Sequence, residues 1–355
     1  MKDTLDALHR DLAAAHLAPT WKYVSEFVSW EPRTSYRPWL WRWDDVMPLL
    51  ARAGELITPE RGAERRSMEH VNPDLVPFYS TSHTIATAVQ LVKAGERAPA
   101  HRHAASAVRF AAQSQGGCVY TKVEGERLMM EPFDLLLTPA WTWHEHANET
   151  EHDIVWLDAL DFPLVNLFQA SVFEPGEGPV CEDRPDGFTR DRLGLFRPVG
   201  WGPYPASHPV VRYPWVEMRA ALERAAAESG SPFDGVMLEY VNPQDSGPTL
   251  PTMSCRAQRL PAGGRLRAHR STASTVYYVI AGRGTTVIAG TAFDWQPGDV
   301  FVVPTWAWHE HANGDEPAFL FSVTDEPAVR KLGLLREQPF ITADGHQAVL
   351  SRFKP

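Results

Sequence analysis

Two phrases constrain this chain more than anything else in it: WTWHEHAN at 141–148 and WAWHEHAN at 306–313. Superposing them takes an offset of 165 residues. The same offset carries Pro132 onto Pro297, Asp134 onto Asp299 and Pro139 onto Pro304. Upstream, HRHAASAVRF (101–110) matches HRSTASTVYY (269–278) at an offset of 168, three residues away and so an ordinary loop change. A repeat on this scale is architectural: one unit of about 90 residues occurs twice.

The units read as β structure. From about residue 80, short runs such as TIATAVQLV, SAVRFAA, CVYTKV, DLLLTP and DIVWLDAL are separated by Gly, Pro and Glu turns. After residue 230 the pattern resumes with STVYYVIAG, GTTVIAG, GDVFVVPT and AFLFSVTD. Closely spaced short strands with turn signals point to a sandwich or barrel. The expected division is a helical, Trp-rich arm over 1–79, a first barrel over 80–165, a linker and helix over 166–230, a second barrel over 231–325 and a tail over 326–355. Helical spacing predicts helices over 3–16, 44–54, 215–229 and 328–338. The Gly-, Pro- and Asp-rich residues 174–210 read as linker.

Composition narrows the function. A net charge of −10 argues against a nucleic-acid surface, which needs clustered Lys and Arg. Three scattered cysteines, Cys118, Cys181 and Cys255, suit a reducing compartment. The N-terminus lacks the apolar core of a signal peptide, and no run approaches the length of a membrane span. The expectation is a cytoplasmic protein with no nucleic-acid or membrane partner.

The chemistry lies in the histidines. With 14 in the chain, chance supplies roughly half of one His-x-His pair. There are three: His101/His103, His144/His146 and His309/His311. Residues i and i+2 of a strand share a face, and Arg109 stands at an even spacing from His101 and His103. Four imidazoles and a guanidinium inside a small barrel are costly unless they bind something. The other reading turns these faces to solvent. Imidazole suits iron, zinc, copper and nickel. Two strands supplying two histidines and one would make a facial three-His site, whose uncompensated charge welcomes a chelating dianion. Arg109 adds a second attraction for a carboxylate.

Gly95, His101 and His103, followed by Pro132, Asp134, Pro139 and His144, resemble the two motifs of a cupin. The glutamate usual after His-x-His is missing, since Ala107 and Val108 stand there, which disfavours the oxalate-decarboxylase type. The longer phrases AHRHAASAVRF, LLLTPAWTWHEHAN, IVWLDALDFPLV and FDWQPGDVFVVPTWAWHEHAN are similar to gentisate 1,2-dioxygenases and their salicylate-class relatives. So is the arm, in PRTSYRPWLWRWDDVMPLLARAGEL and GAERRSMEHVNP. The resemblance implies a mainly β bicupin: two jelly-roll barrels, a helical N-terminal arm and connecting helices. It implies one Fe(II) per chain on His101, His103 and His144. It places Arg109, Arg65 and Gln90 on the substrate, His146 as a proton relay, and Asp158 as the acceptor for a 5-hydroxyl. The implied reaction opens the C1–C2 bond of a 2-hydroxybenzoate with O₂, gentisate to maleylpyruvate first. Salicylate, 5-nitrosalicylate or 1-hydroxy-2-naphthoate are the alternatives. A homotetramer is implied as well, with the Trp-rich residues 39–43 either a subunit contact or core. A storage bicupin, or a zinc or manganese isomerase or hydrolase, would be the rival classes.

The second copy departs where the chemistry sits. Ser271 replaces His103 and Tyr277 replaces Arg109, leaving His269 and His309. The expectation is a barrel that keeps its fold without a metal, with Trp306 and Trp308 packed between sheets on the face opposite His309. RFAAQSQGGCVY is two residues longer than the family's usual segment. Phe133 stands where a turn glycine is usual, predicting a different turn.

Overall fold

The computed structural model describes residues 4–58, 66–113, 119–194, 199–201, 212–228 and 230–354. Among the described residues there are six α-helices: α1 (Leu5–Ala14), α2 (Thr20–Phe27), α3 (Trp43–Leu56), α4 (Phe162–Leu167), α5 (Trp215–Ala225) and α6 (Glu326–Lys331). Strands β1 (Trp39–Trp41) and β2 (Ser67–Glu69) precede the first repeat. That repeat comprises β3 (Ala86–Val92), β4 (Arg97–His103), β5 (Ala107–Gln113), β6 (Val119–Val123), β7 (Glu126–Met129), β8 (Leu135–Thr138), β9 (His144–Asn148) and β10 (Ile154–Leu160). β11 (Phe173–Pro175) and β12 (Arg212–Tyr213) lie between the repeats. The second half holds β13 (Val236–Glu239), β14 (Ser254–Leu260), β15 (His269–Ser271), β16 (Thr275–Ala281), β17 (Gly284–Ile288), β18 (Thr291–Trp295), β19 (Val300–Val303), β20 (His309–Asn313) and β21 (Ala318–Thr324). β22 (Glu337–Pro339) and β23 (Ser351–Arg352) follow.

Each repeat closes two sheets face to face, antiparallel throughout except where β23 joins β18 in parallel. The first pairs a six-stranded sheet, β12-β8-β5-β10-β3-β2, with a five-stranded one, β11-β4-β9-β6-β7. The second pairs β1-β19-β16-β21-β14-β13 with β22-β15-β20-β17-β18-β23. The fold is therefore mainly β with two jelly-roll barrels. Strands β3 and β21 are buried at every position, because both faces of each are covered. One face looks into its own barrel. The other meets the opposite barrel, where Val89, Val108, Phe110, Leu135 and Leu157 pack with Val276, Tyr278, Val302, Phe321 and Val323. Phe110 stacks on Phe321 with ring centroids 4.1 Å apart.

The flanking segments dock crosswise. Strand β1 of the arm pairs with β19 of the second barrel, and β12 pairs with β8 of the first. The Trp-rich residues 39–41 are thus strand, with Leu40 buried. The aspartate of each Pro-x-Asp motif accepts the first backbone N–H of a helix that begins with tryptophan. Asp299 takes Trp43 at 2.8 Å and Asp134 takes Trp215 at 2.9 Å. These carboxylates occupy the place where helix N–H groups lack partners. Two further aspartates tie the barrels reciprocally: Thr252 donates to Asp161, and Thr84 donates to Asp325.

Three expectations need correction. Residues 328–338 are not one helix: α6 stops at Lys331, Gly333 turns left-handed at φ +72°, and β22 pairs with β15. Residues 174–210 are not wholly linker, since β11 completes the edge of β4 with Phe173 opposite His103. Phe133 does not alter its turn. It takes φ +65°, as Gly298 takes +91° at the equivalent position. A left-handed residue with a side chain costs roughly 1 kcal/mol or more. Packing of Phe133 against Phe110 and Trp215 offsets it. Gly298 has no such freedom to change, because a Cβ there would stand 2.4 Å from the Trp43 ring.

The repeated phrase has a structural cause. Arg102 lies between the rings of Trp141 and Trp143, 4.3 and 4.5 Å from their centroids, and donates to Glu174. Arg270 lies between Trp306 and Trp308 at 4.2 and 4.4 Å and donates to Gln338. The tryptophans clasp an arginine, with cation–π stacking on both faces, instead of filling a space between sheets. The Arg of His-Arg-x and the Trp-x-Trp before His-Glu-His are partners in both barrels, and neither needs a metal.

Candidate active site

The first barrel brings His101, His103 and His144 together. Their ligand nitrogens lie within 4.8 Å of one another, the sole such set among the described residues. Strands β4 and β9 place His101 opposite His144. Each Nδ1 donates to a nearby backbone carbonyl: His101 to Pro99 at 2.9 Å, His103 to Ala105 at 2.7 Å and His144 to Thr142 at 2.9 Å. That fixes the tautomer and leaves each Nε2 as a lone-pair donor aimed into the barrel. Burial, then the neighbouring His101 and His103, hold the His144 imidazole well below its ordinary value. Three converging neutral nitrogens with their outer N–H groups anchored fit a divalent transition metal. Phe173 from β11 stacks on the His101 ring at 5.4 Å.

The opposite wall is the six-stranded sheet. Its even spacing from His101 and His103 implies that Arg109 continues their strand face. Instead, residues 104–106 turn the chain across the barrel, and Arg109 enters from β5. It still faces the pocket, because the inner faces of both sheets converge. Its Nε and Nη2 donate to Asp158 at 2.8 and 3.1 Å, and its Nη1 donates to Thr121 at 3.0 Å and to the His146 ring. Trp156 lies 4.3 Å under the guanidinium and donates its indole N–H to Asp158. Arg109 and Asp158 are both buried, so the pair is shielded from water. Among the described residues, four of the five guanidinium donors are engaged and one Nη2 N–H is open to a ligand.

His146 is buried, its Nδ1 3.0 Å from Thr121 Oγ1, and its ring borders those of His101 and His144. Gln90 is buried on β3 and lines the same cavity. Arg65 lies outside the described residues. Its neighbour Arg66 serves structure: it forms a bidentate pair with Glu96 and donates to the Ile57 carbonyl. The cavity measures about 210 Å³ and is also lined by Ser67, Glu69, Ala88, Leu160 and Phe173. A space of roughly 150 Å³ suffices for benzene, so one substituted ring fits. Sequence reading missed Glu69, Thr121, Trp156 and Phe173. A three-residue edge strand such as β2 carries too little periodicity to reveal Glu69.

The second barrel lacks this arrangement. Ser271 stands at the third ligand position, and His269 Nε2 is 3.4 Å from an Asp234 oxygen. Burial pushes the Asp234 carboxyl up, but the adjacent His269 and the surrounding imidazoles outweigh it and hold it at about 2. Tyr277, in place of Arg109, is buried against Phe301 at 4.9 Å, and the cavity shrinks to about 50 Å³.

A three-histidine site inside one barrel of a doubled jelly roll, facing a buried arginine, defines a bicupin metal-site enzyme. The Cupin domain model matches residues 88–160 and 257–324. The chain is 70% identical to a 5-aminosalicylate 1,2-dioxygenase of Comamonas sp over 98% of its own length and 94% of the relative's. It is 38% identical to a gentisate 1,2-dioxygenase of Aquipseudomonas alcaligenes, over 92% and 94%. A crystal structure of salicylate 1,2-dioxygenase from Pseudoaminobacter salicylatoxidans with gentisate superposes with a TM-score of 0.86 at 29% identity, covering 95% of both chains. The chain belongs to the gentisate and salicylate 1,2-dioxygenase family of ring-cleaving dioxygenases. No helix among the described residues is long and apolar enough to cross a membrane.

Proposed function

We propose that the chain opens a 5-substituted 2-hydroxybenzoate between C1 and C2 with O₂, that 5-aminosalicylate is the preferred ring, and that one iron(II) sits on His101, His103 and His144. The 70% identity to a 5-aminosalicylate dioxygenase across nearly the whole chain carries the choice of ring over gentisate, the expectation from sequence. Bound at the triad, iron(II) supplies the redox chemistry that joins O₂ to the aromatic ring.

The protein's own residues do the rest. The carboxylate and 2-hydroxyl edge of the substrate faces the triad, and the remaining Nη2 N–H of Arg109 binds the carboxylate. Asp158 gives its oxygens to Arg109 and Trp156, so its part is to hold the guanidinium flat against the pocket. Leu160 and Phe173 supply apolar walls for the ring, with Gln90 and Ser67 as polar contacts at its edge. His146 relays a proton at a ring nitrogen. The proposal includes Arg65 as a second carboxylate contact, a homotetramer and a cytoplasmic setting.

Oxygen uptake by iron-loaded protein tests this, with 5-aminosalicylate, gentisate, salicylate, 5-nitrosalicylate and 1-hydroxy-2-naphthoate compared. The highest kcat/KM is expected with 5-aminosalicylate. A clear preference for gentisate would restore the first expectation. No uptake with any of them would refute the reading.

A further inference from the structure

Glu69, Ala88, Asp158 and Arg109 form one row across four neighbouring strands, each pair in direct register. Opposed residues of antiparallel strands point to the same face. All four therefore line the cavity that the histidines close from the other sheet. The row is charged at both ends. Arg109 and Asp158 answer each other at one end. At the other, no hydrogen bond or ion pair to the Glu69 carboxylate exists among the described residues. Glu69 is solvent-accessible yet ringed by protein, as a side chain lining an open pocket is. Burial, and the like charge of Asp158, push its carboxyl up to about 7.

A carboxylate in a pocket built for an organic acid is costly unless the ligand brings it a donor. Ala88, with only a methyl group, separates the two acids. Strand spacing sets their backbones roughly 10 Å apart, so Ala88 floors a notch between their side chains. The substrate carboxylate belongs at the Arg109 end. Position 5 of the ring is para to the 2-hydroxyl, on the edge directed away from the triad. A group at that position meets the acidic end of the row.

We propose that Glu69 is the specificity-determining residue for the 5-substituent, accepting a hydrogen bond from an amino or hydroxyl group seated over Ala88 and disfavouring a nitro group. This rests on the substrate class proposed above. Amine and hydroxyl groups donate and a nitro group only accepts; above neutral pH, where the Glu69 carboxyl is mostly ionised, it too only accepts. A site built to receive a donor discriminates strongly against rings that lack one.

The test is the ratio of kcat/KM for each 5-substituted ring to that for salicylate, measured within one preparation at about pH 8.5, where the Glu69 carboxyl is ionised. Iron loading and folding then cancel. In Glu69→Leu, the 5-aminosalicylate and gentisate ratios should fall about tenfold, the loss of one hydrogen bond. In Glu69→Gln, nearly identical in shape, those ratios should fall less, and the 5-nitrosalicylate ratio should rise severalfold, because the amide can donate. Ratios within twofold of wild type in both variants would overturn the role of Glu69. An equal loss on salicylate and the 5-substituted rings would overturn it too, since that is a structural effect. Wild-type turnover of salicylate alone would overturn the substrate reading itself, and this outcome is seen before any variant is made.

Discussion

Replacing Asp158 with alanine leaves Arg109 buried without its counter-charge. Two charge-assisted hydrogen bonds to Arg109 and one from the Trp156 indole are lost together. Thr121 and the His146 ring still accept from Nη1, so the guanidinium is not stripped of partners. Breaking one side of a buried pair costs about 3–5 kcal/mol. Water entering the open pocket recovers part of this, which sets the expectation near 3 kcal/mol. For a domain of 150–250 residues each kcal/mol moves Tm by about 2–4 °C, so a fall of about 6–12 °C is expected. The assay is thermal unfolding of metal-free protein, with oxygen uptake on the reloaded sample. Arg109→Met with Asp158→Leu should regain most of the lost Tm, because neither charge is then orphaned, while substrate turnover stays lost. An unchanged Tm in Asp158→Ala would refute the view that the pair anchors the pocket wall.

Three further outcomes are expected. His103→Ser, which copies Ser271 of the second barrel, should leave the fold intact by circular dichroism but remove metal at stoichiometric level in elemental analysis, and with it oxygen uptake. Gly298→Ala should destabilise by about 2 kcal/mol or more, since its Cβ meets Trp43 at 2.4 Å and its φ is +91°; chemical denaturation reads this, and the equivalent Phe133→Ala should show cavity loss in place of strain. Burial pushes the Asp325 carboxyl up to about 6 from 3.8; its folded state holds the proton more tightly than the unfolded state, so its contribution is fully present below pH 4 and declines up to about pH 6. Asp325→Asn should remove that decline, visible as a difference in denaturation midpoint between the two proteins over pH 4–7.

Much of the site was legible because its chemistry is local. His101, His103 and His144 announce themselves by spacing and by neighbouring turn residues, and their tautomers are set by carbonyls only two residues away. The doubling was equally plain, since superposed phrases require no knowledge of contacts. Arg109 reaches the pocket from a different strand than its even spacing implies: the pocket draws on the inner faces of both sheets, so a turn between His103 and Arg109 changes the wall but not the destination.

Long-range pairing was not legible. Nothing in WLW at 39–41 says that it extends the sheet of a barrel some 250 residues later, or that Trp43 begins a helix capped by Asp299. Glu69 joins Asp158 and Arg109 in one row only through the register of β2, β3, β10 and β5. Register depends on which strands become neighbours, and that is settled by the burial of whole faces. Periodicity along a single strand says which residues share a face; the packing of one barrel against the other decides what that face will touch.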